Sequence, residues 1–330
     1  MKKFLPIIIL ACSFILQAQN PNLGTSSAQF LQIPVGARPQ AMVGAVVGYI
    51  DDASAVFWNP AGIAKVRNVE VFFSYMDWFT LFDHSAASIV YNVEDVGAFA
   101  ASFISFTTNE MEITTELEPN GTDRYFDAGD MAIGVSYARF LTDKFNVGVT
   151  VKYIYQQIWN ETAEGFAFDV GTQYTLDWQN LTIAMSMTNF GGSVQFEGSD
   201  LDINYSRSDI YPLTRITPAS LQTEEYPLPL NFQIGIAFDV FKTDFIKMKS
   251  DIDAIHPNDN SEQVLFGTEF SFFDRFFLRG GYKYNADDQY FGLGAGANVP
   301  ISSSAIYFDY AYSFYELLPN VQTISVKLLF

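Results

Sequence analysis

The chain has 330 residues, of which 16% are aromatic and only 17% are charged, and its formal net charge is −19. This acidic balance argues against binding to nucleic acid, which selects basic proteins, and against docking on an anionic lipid surface. After the N-terminal region, no stretch has the roughly eighteen consecutive apolar residues that a membrane-spanning helix needs. Any membrane span must therefore consist of strands.

The chain begins with the pattern of a secretory signal peptide. Lys2 and Lys3 precede an apolar run over residues 4–16, and small and polar residues follow it. We therefore predict a signal peptide over residues 1–19 and export from the cytoplasm. The single cysteine, Cys12, lies inside the run. Cleavage before it, as in a lipoprotein, is disfavoured because the run continues past it, so the mature chain has no disulfide.

Residues 20–68 lack the alternation that marks the rest of the chain. Asp51 or Asp52 is placed to cap a short helix. Asn59 must leave the helical region because Pro60 follows it. About fifty residues of this kind are too few to bury a core of their own. We predict that they form a small N-terminal plug that packs inside or against a larger β-domain.

From residue 69 to residue 330, segments of about ten residues alternate between apolar and polar side chains, as tilted membrane strands do. In the last segment, Ile324 and Val326 share one face, and Thr323 and Ser325 share the other. A soluble sandwich also alternates, but it rarely needs so many strands or aromatic residues. We predict an all-β fold, a transmembrane antiparallel β-barrel of about 14 strands. The predicted strands are residues 69–78, 85–93, 96–107, 129–140, 145–158, 165–177, 180–190, 229–241, 244–255, 261–273, 275–285, 289–299, 304–315 and 320–330.

Several predicted strands carry glycines on their polar faces. Since glycine has no side chain, these positions leave space beside the wall of a barrel. We predict that this space holds the plug. The glycines are Gly235, Gly267, Gly281 and Gly294.

The connections between the predicted strands alternate in length. In bacterial barrels, short turns face the periplasm and longer loops face outward. The two longest connections, residues 108–128 and 191–228, fall on the same side, opposite both termini. Residues 191–228 contain apolar side chains that are unusual in a solvated loop, and we predict that these bind a partner. They are Tyr205, Tyr211, Leu213 and Ile216.

The segment before the barrel resembles the N-terminal signature of the PorV/PorQ family. The similarity lies in residues 27–31, 35–38, 51–55 and 58–62. More distantly, the chain resembles the FadL family of outer-membrane transporters for hydrophobic compounds. Both families have an N-terminal plug, with an Asn-Pro-Ala turn, inside a barrel of fourteen strands. The resemblance implies such a turn here, and a following glycine permits the chain to turn closely. The candidate binding residues of this turn are Asn59, Pro60, Ala61 and Gly62.

The resemblance to the PorV/PorQ family implies an accessory role in type IX protein secretion. It implies the outer membrane of a Gram-negative, Bacteroidota-type bacterium, with lipid around the barrel. The outward loops would contact a translocon subunit or the C-terminal signal domains of cargo. The alternative is a FadL-like transporter, which takes up a hydrophobic small molecule and releases it when the plug shifts. A porin is a third hypothesis, weakened because a plug would close the pore.

The sequence predicts no enzyme. The two histidines, His84 and His256, fall in predicted connections, where exposed loop histidines are expected. No serine or cysteine motif accompanies them. The acidic pairs at residues 51–52 and 251–253 lack the ligand spacing of an EF-hand loop. We therefore predict no catalytic residue, no metal site, no cofactor and no nucleic-acid partner.

Overall fold

The structure is a computed structural model that describes residues 22–206, 216–302 and 304–330. The predicted signal peptide lies outside the described residues. Fourteen long strands form one antiparallel sheet, and the first strand pairs with the last, so the sheet closes into a barrel. The predicted all-β barrel of about 14 strands is therefore confirmed.

The strands of the wall are named β1–β14 in chain order. They are Val69–Trp78, Phe82–Val93, Gly97–Thr108, Ala128–Thr142, Phe145–Ile158, Glu161–Thr175, Thr182–Gly191, Asn231–Lys242, Ile246–Pro257, Gln263–Phe272, Phe276–Tyr284, Gln289–Ile301, Ser304–Tyr315 and Val321–Leu329. The largest difference from prediction is at β6, which begins at Glu161 rather than at residue 165. The predicted connection over residues 159–164 was wrong, because Trp159, with φ of 54°, allows β5 and β6 to meet in a tight hairpin.

The wall has its apolar face outside and its polar face inside. In β1, the outward Phe73 and Tyr75 are 50% and 49% exposed, whereas Ser74 between them is buried. In β14, Thr323 and Ser325 are buried in the same way. A soluble sandwich would show the reverse arrangement. The exposed apolar face is the one that lipid covers in an outer-membrane barrel.

The prediction that both histidines lie in connections was wrong, because His84 belongs to β2 and His256 to β9. His84 is 1% exposed, contrary to the prediction, whereas the side chain of His256 is exposed as predicted, with its Nδ1 atom 3.1 Å from Glu262 Oε1. Strand β2 extends past its predicted start because the inner face of a barrel accepts polar side chains. A polar residue therefore does not mark the end of a strand here.

The two ends of the barrel differ in their connections. One end, called the short-turn end, has tight turns such as residues 94–96 and 273–275. The other end, called the long-loop end, has residues 109–127 and 192–230. Each of these long loops contains a small hairpin. The hairpins pair Met111–Glu112 with Tyr125–Phe126 and Asp202–Ser206 with Ile216–Ser220.

Residues 22–66, here called the inner segment, pack against the inward-facing side chains of the wall. Asp52 caps one of its helices, as predicted, because its Oδ1 atom accepts a hydrogen bond from Ser54 N at 3.0 Å. Among the described residues, no helix is both long enough and apolar enough to cross a membrane. The helical turns of the inner segment are Gln29–Gln32, Ala37–Ala41, Ala53–Phe57 and Pro60–Lys65.

Glycines of the wall let the backbone of the inner segment approach closely. A Cβ atom added at Gly281 would lie 2.5 Å from the carbonyl carbon of Met42, and one at Gly267 would lie 2.8 Å from Met42 Cε. The same holds at Gly294, where a Cβ atom would lie 2.5 Å from Ala41 Cβ. Backbone and small side chains of the inner segment thus occupy the space that larger wall residues would fill.

Candidate functional site in the barrel lumen

The turn at Asn59 is buried and begins a helical turn. Asn59 Oδ1 accepts a hydrogen bond from Ala61 N at 3.1 Å, which caps the helix. Asn59 Nδ2 donates to Val47 O at 3.0 Å and to Thr172 O of β6 at 3.2 Å. Pro60 occupies the first helical position, where its missing N–H leaves no hydrogen bond unmade. One side chain therefore joins two parts of the inner segment to the wall.

Two amide side chains of the wall hold the turn and the stretch that precedes it. Asn146 Nδ2 of β5 donates to Ala61 O at 2.6 Å, and Gln173 Nε2 of β6 donates to Ile50 O at 3.0 Å. At Gly62, a Cβ atom would lie 2.5 Å from Ile50 O, so glycine is required there. The four residues of the turn line neither of the lumenal cavities described below. Their observed contacts fasten the inner segment to the wall.

Two carboxylates of β9 hold the stretch before this turn. Asp253 Oδ2 accepts hydrogen bonds from Val46 N at 3.0 Å and Val47 N at 3.2 Å, and Asp251 Oδ2 accepts one from Gly48 N at 3.1 Å. Both carboxylates are fully buried. Among the described residues, no group of three or more His, Cys, Asp or Glu side chains is placed to hold a metal ion.

An ion-pair network joins the inner segment to β10 and β14. The Arg38 guanidinium lies 3.0 Å from Asp52 and 3.3 Å from Glu269 of β10. Lys327 Nζ of β14 lies 2.8 Å from Asp52 Oδ2. Burial raises the pKa of the Asp52 carboxyl, but attraction by Lys327 and Arg38 outweighs it, so that this pKa lies well below its usual range. Asp52 is therefore a buried anion with two cationic partners.

The inner segment separates two cavities in the lumen. The short-turn cavity has a volume of about 600 Å³ and a mainly charged lining, with Gly48 and Tyr49 of the inner segment on its wall. The long-loop cavity has a volume of about 620 Å³. No described residue lines both cavities. Apolar side chains of the long-loop cavity include Phe30, Leu31, Trp58, Ile104, Phe106 and Leu265.

The two predicted loop residues that the structure describes lie at the long-loop end. Tyr205 is 54% exposed and stands in the hairpin of the long-loop end, opposite Thr217. Ile216 begins the second strand of that hairpin, opposite Ser206. Tyr211 and Leu213 lie outside the described residues. The plug turn instead contacts β6 at Thr172, near the short-turn end. The plug turn and the described loop residues Tyr205 and Ile216 therefore belong to opposite ends of the barrel.

Sequence reasoning missed the wall side chains that hold the inner segment. Asn146, Gln173, Asp251 and Asp253 all lie on polar strand faces, so the alternation itself placed them in the lumen. An acid or amide flanked by apolar residues in a predicted strand is the signal that would have found them.

The sequence profile of one protein family matches residues 16–256, and the family is described as Type IX secretion system protein PorV. The chain belongs to this family. The match covers the whole inner segment and the wall through most of β9. The resemblance to PorV proteins expected from residues 27–62 is therefore confirmed. Among curated proteins, no sequence match was found.

Several solved structures share the fold. The Ralstonia pickettii toluene transporter TbuX is 13% identical, with a TM-score of 0.54 over 89% of this chain and 97% of that chain. The Pseudomonas putida toluene transporter TodX is 13% identical, with a TM-score of 0.56 over 89% and 96%. A Pseudomonas aeruginosa FadL homologue is 12% identical, with a TM-score of 0.53 over 90% and 98%. At such identities the likeness establishes the FadL-like fold alone.

The family match, the closed wall and the FadL-like fold agree on the location of the protein. The chain is an outer-membrane β-barrel of the PorV family, associated with type IX secretion. Its exposed apolar face contacts membrane lipid.

Proposed function

We propose that this PorV-family barrel is an accessory component of type IX protein secretion that engages the translocon or the C-terminal signal domains of cargo. In this proposal the contact is made by the loops of the long-loop end. The observation that carries it is the set of exposed apolar side chains on the two long loops. The family match supports the secretion role itself.

The two long loops present apolar side chains on otherwise polar, acidic stretches. Leu117 in the first loop is 93% exposed, and Tyr125 in the same loop is also exposed. In the second loop, Ile203, Tyr205 and Leu221 are exposed in and next to the hairpin. Exposed apolar groups rimmed by polar residues mark protein interaction sites, and aromatic residues are enriched in such sites. The long-loop end therefore suits docking of a folded protein domain.

The inner segment has a defined part in this proposal. It is the described part of the predicted plug over residues 20–68, and it is held by Asn59, Asp253 and the Arg38–Asp52–Lys327 network. A plug held by so many wall contacts keeps the lumen closed while the loops bind the translocon or cargo. Cargo then passes through the translocon and not through this barrel.

The proposal is tested by pull-down from detergent-solubilised outer membrane. The variant Ile203→Ser/Tyr205→Ser removes apolar contact area from the second loop. The control is Leu317→Ser, because Leu317 is exposed in a short connection of the same end. We expect wild type and control to recover a secretion component or a C-terminal cargo domain, and the double variant to lose it. Equal recovery by all three, or no recovery by wild type with intact loops, contradicts the proposal.

The long-loop cavity favours a second function, transport of a hydrophobic small molecule. Its volume of about 620 Å³ lies within the roughly 300–1,000 Å³ of small-molecule sites, and aromatic and aliphatic side chains line much of it. Structures of toluene transporters share this fold, which supports the same reading. Native mass spectrometry of the purified barrel would show a bound apolar compound. Ile104→Trp should displace that compound by filling the cavity, and retention of the compound in this variant would contradict the assignment.

A further inference from the structure

The short-turn cavity collects an unusual share of the basic residues of an acidic chain. Seven of the 18 Lys and Arg residues line it, although the chain as a whole has a net charge of −19. Three of the seven have no carboxylate within 4.0 Å among the described residues: Lys65, Lys242 and Lys249. Lys65 comes from the inner segment, and the other two come from the β8–β9 hairpin.

The acidic side chains that face this cavity are bonded to other groups. Each accepts hydrogen bonds from, or forms ion pairs with, a donor outside the three lysines, and Asp51 attracts Lys65 and Lys249 only at a distance beyond ion-pair contact. The pairs are Asp51 and Asp52 with Arg38, Glu269 and Asp309 with Arg279, Asp239 with Asn180, Asp274 with Lys247, and Glu70 with the Ala53 N–H group. The three lysines therefore retain hydrogen-bond donors for a further group.

The lysines also stand close to one another. Lys242 is directly opposite Lys247 in the β8–β9 pairing, and like charges in this position destabilise a sheet. Lys249 lies two residues from Lys247 and so points to the same face. Burial lowers the pKa of the Lys65 ammonium; Asp51 and Asp251 oppose this effect and Lys249 adds to it. A bound anion would relieve this repulsion.

We infer that the short-turn cavity is a binding site for a small anion that carries carboxylate or phosphate groups. Lys65 and Lys249 hold the anion, and Lys242 stands at the mouth. The cavity volume of about 600 Å³ suits a small molecule, for which sites of roughly 300–1,000 Å³ are usual. Gly48 and Tyr49 of the inner segment line it, and so does Asn180, which lies in a turn of the short-turn end. The anion therefore enters and leaves at the short-turn end.

The Tyr49 ring helps to place the two cationic groups of this site. Lys249 Nζ lies 4.8 Å from the centroid of the ring, and Arg38 Cζ lies 4.3 Å from it. The Tyr49 hydroxyl donates a hydrogen bond to Glu269, which fixes the ring. Arg38 is already paired with Asp52 and Glu269, so Lys249 is the cation left to bind a ligand.

The test is calorimetric titration of the full-length barrel in detergent with citrate and with inorganic phosphate at low salt. We expect saturable binding of at least one anion with one site per chain, which weakens as sodium chloride is raised. The variant Lys65→Gln/Lys249→Gln should bind at least about tenfold more weakly, which is about 1.4 kcal/mol. The control Lys144→Gln should bind like wild type, because Lys144 lies in a turn of the same end outside the cavity and pairs with Asp177.

A second measurement uses the unaltered protein and so does not depend on folding of the variant. Citrate or phosphate should slow the reaction of Lys65 and Lys249 with an amine-reactive reagent, as measured by mass spectrometry, and should leave Lys144 unaffected. No saturable binding, unchanged binding in the double variant, or equal protection of Lys144 would each overturn the inference. Protection confined to the two cavity lysines would support it even if the double variant failed to fold.

Discussion

Adding one methyl group to the wall at Gly281 should displace the inner segment, whereas the same change at Gly280 should not. Gly281 faces the lumen, and its added Cβ atom would lie 2.5 Å from the Met42 carbonyl carbon and 2.8 Å from Met42 Cα. Carbon atoms make their best contacts at about 3.5–4.0 Å, so the Met42 backbone must move by about 1 Å. Forcing an extra group into a packed core costs about 1–3 kcal/mol.

Gly280 is the matched control, because it is next in the same strand and faces outward. Its added Cβ atom would lie 3.5 Å from Leu293 Cδ2, which is an ordinary contact. Gly280→Ala also reduces the freedom of the unfolded chain, which stabilises a protein by about 0.4–1 kcal/mol where the backbone fits. The two variants therefore differ in the sign of their effect on stability.

Hydrogen exchange measures the displacement at the amides next to Met42. Val43 N, Gly44 N and Ala45 N donate hydrogen bonds within the inner segment. A destabilisation of 1–3 kcal/mol should speed their exchange roughly 5- to 150-fold in Gly281→Ala, at about 1.4 kcal/mol per factor of ten. Exchange of the wall strands should stay slow, and dye uptake by whole cells should rise.

Two results would refute this reasoning. If Gly281→Ala and Gly280→Ala exchange equally at these three amides, the inner segment does not press on the wall at Met42. If Gly281→Ala loses the heat-modifiable band of the folded barrel on gels, the inner segment is part of the folding core of the wall. It could not then be loosened on its own.

Three further predictions concern the contacts of the inner segment. Asn59→Ala should weaken the docking of the inner segment by about 2–4 kcal/mol, because a helix cap contributes about 1 kcal/mol and each of the two lost hydrogen bonds about 0.5–1.5 kcal/mol. Limited proteolysis should cleave the inner segment earlier in this variant. The cleavage rate of Asn59→Ser, which keeps a capping oxygen, should lie between those of Asn59→Ala and wild type. Lys327→Met should lower the free energy of unfolding by about 2 kcal/mol. This is less than the roughly 3–5 kcal/mol lost when a buried charge has no partner, because Arg38 still pairs with Asp52. An unchanged midpoint of thermal unfolding would contradict this prediction. Because the pKa of Asp52 is lowered in the folded protein, its ion pairs contribute their full stability above the unfolded-state pKa of about 3.9, and this stability is lost as the pH falls toward the folded-state pKa. Hydrogen exchange of the inner segment should therefore be faster at pH 3 in wild type, and this increase should be smaller in Asp52→Asn.

The wall was predictable because its signal is local. In β14, the apolar Ile324 and Val326 alternate with Thr323 and Ser325, and the structure keeps that alternation. The strand ends were harder to place, because the inner face of this barrel is polar. His84, a polar residue just after the start of β2, looked like part of a loop and is instead buried in the lumen.

The contacts of the lumen were less predictable because they join residues far apart in the chain. The turn at Asn59 could be predicted from its own sequence, since a proline restricts the residue before it. The contact between Asn59 and Thr172 of the wall could not be predicted, because it depends on which strands face the turn and at which level of the barrel. The same limit applies to Lys327 and Asp52, which are 275 positions apart and meet only when the barrel is closed.

The first and last strands of the wall meet at a seam, and the inner segment is bonded to both of them. Ala53 N donates a hydrogen bond to Glu70 of β1, and Ala37 N donates one to Ser325 of β14. Ser325 in turn donates to Ser74, a residue 251 positions away, across the seam. Such distant pairings are the slowest to form, since the chain entropy of a long loop must be lost first. We therefore expect closure of the wall and enclosure of the inner segment to be a single late step in assembly, because a chain that closed first would leave the segment outside.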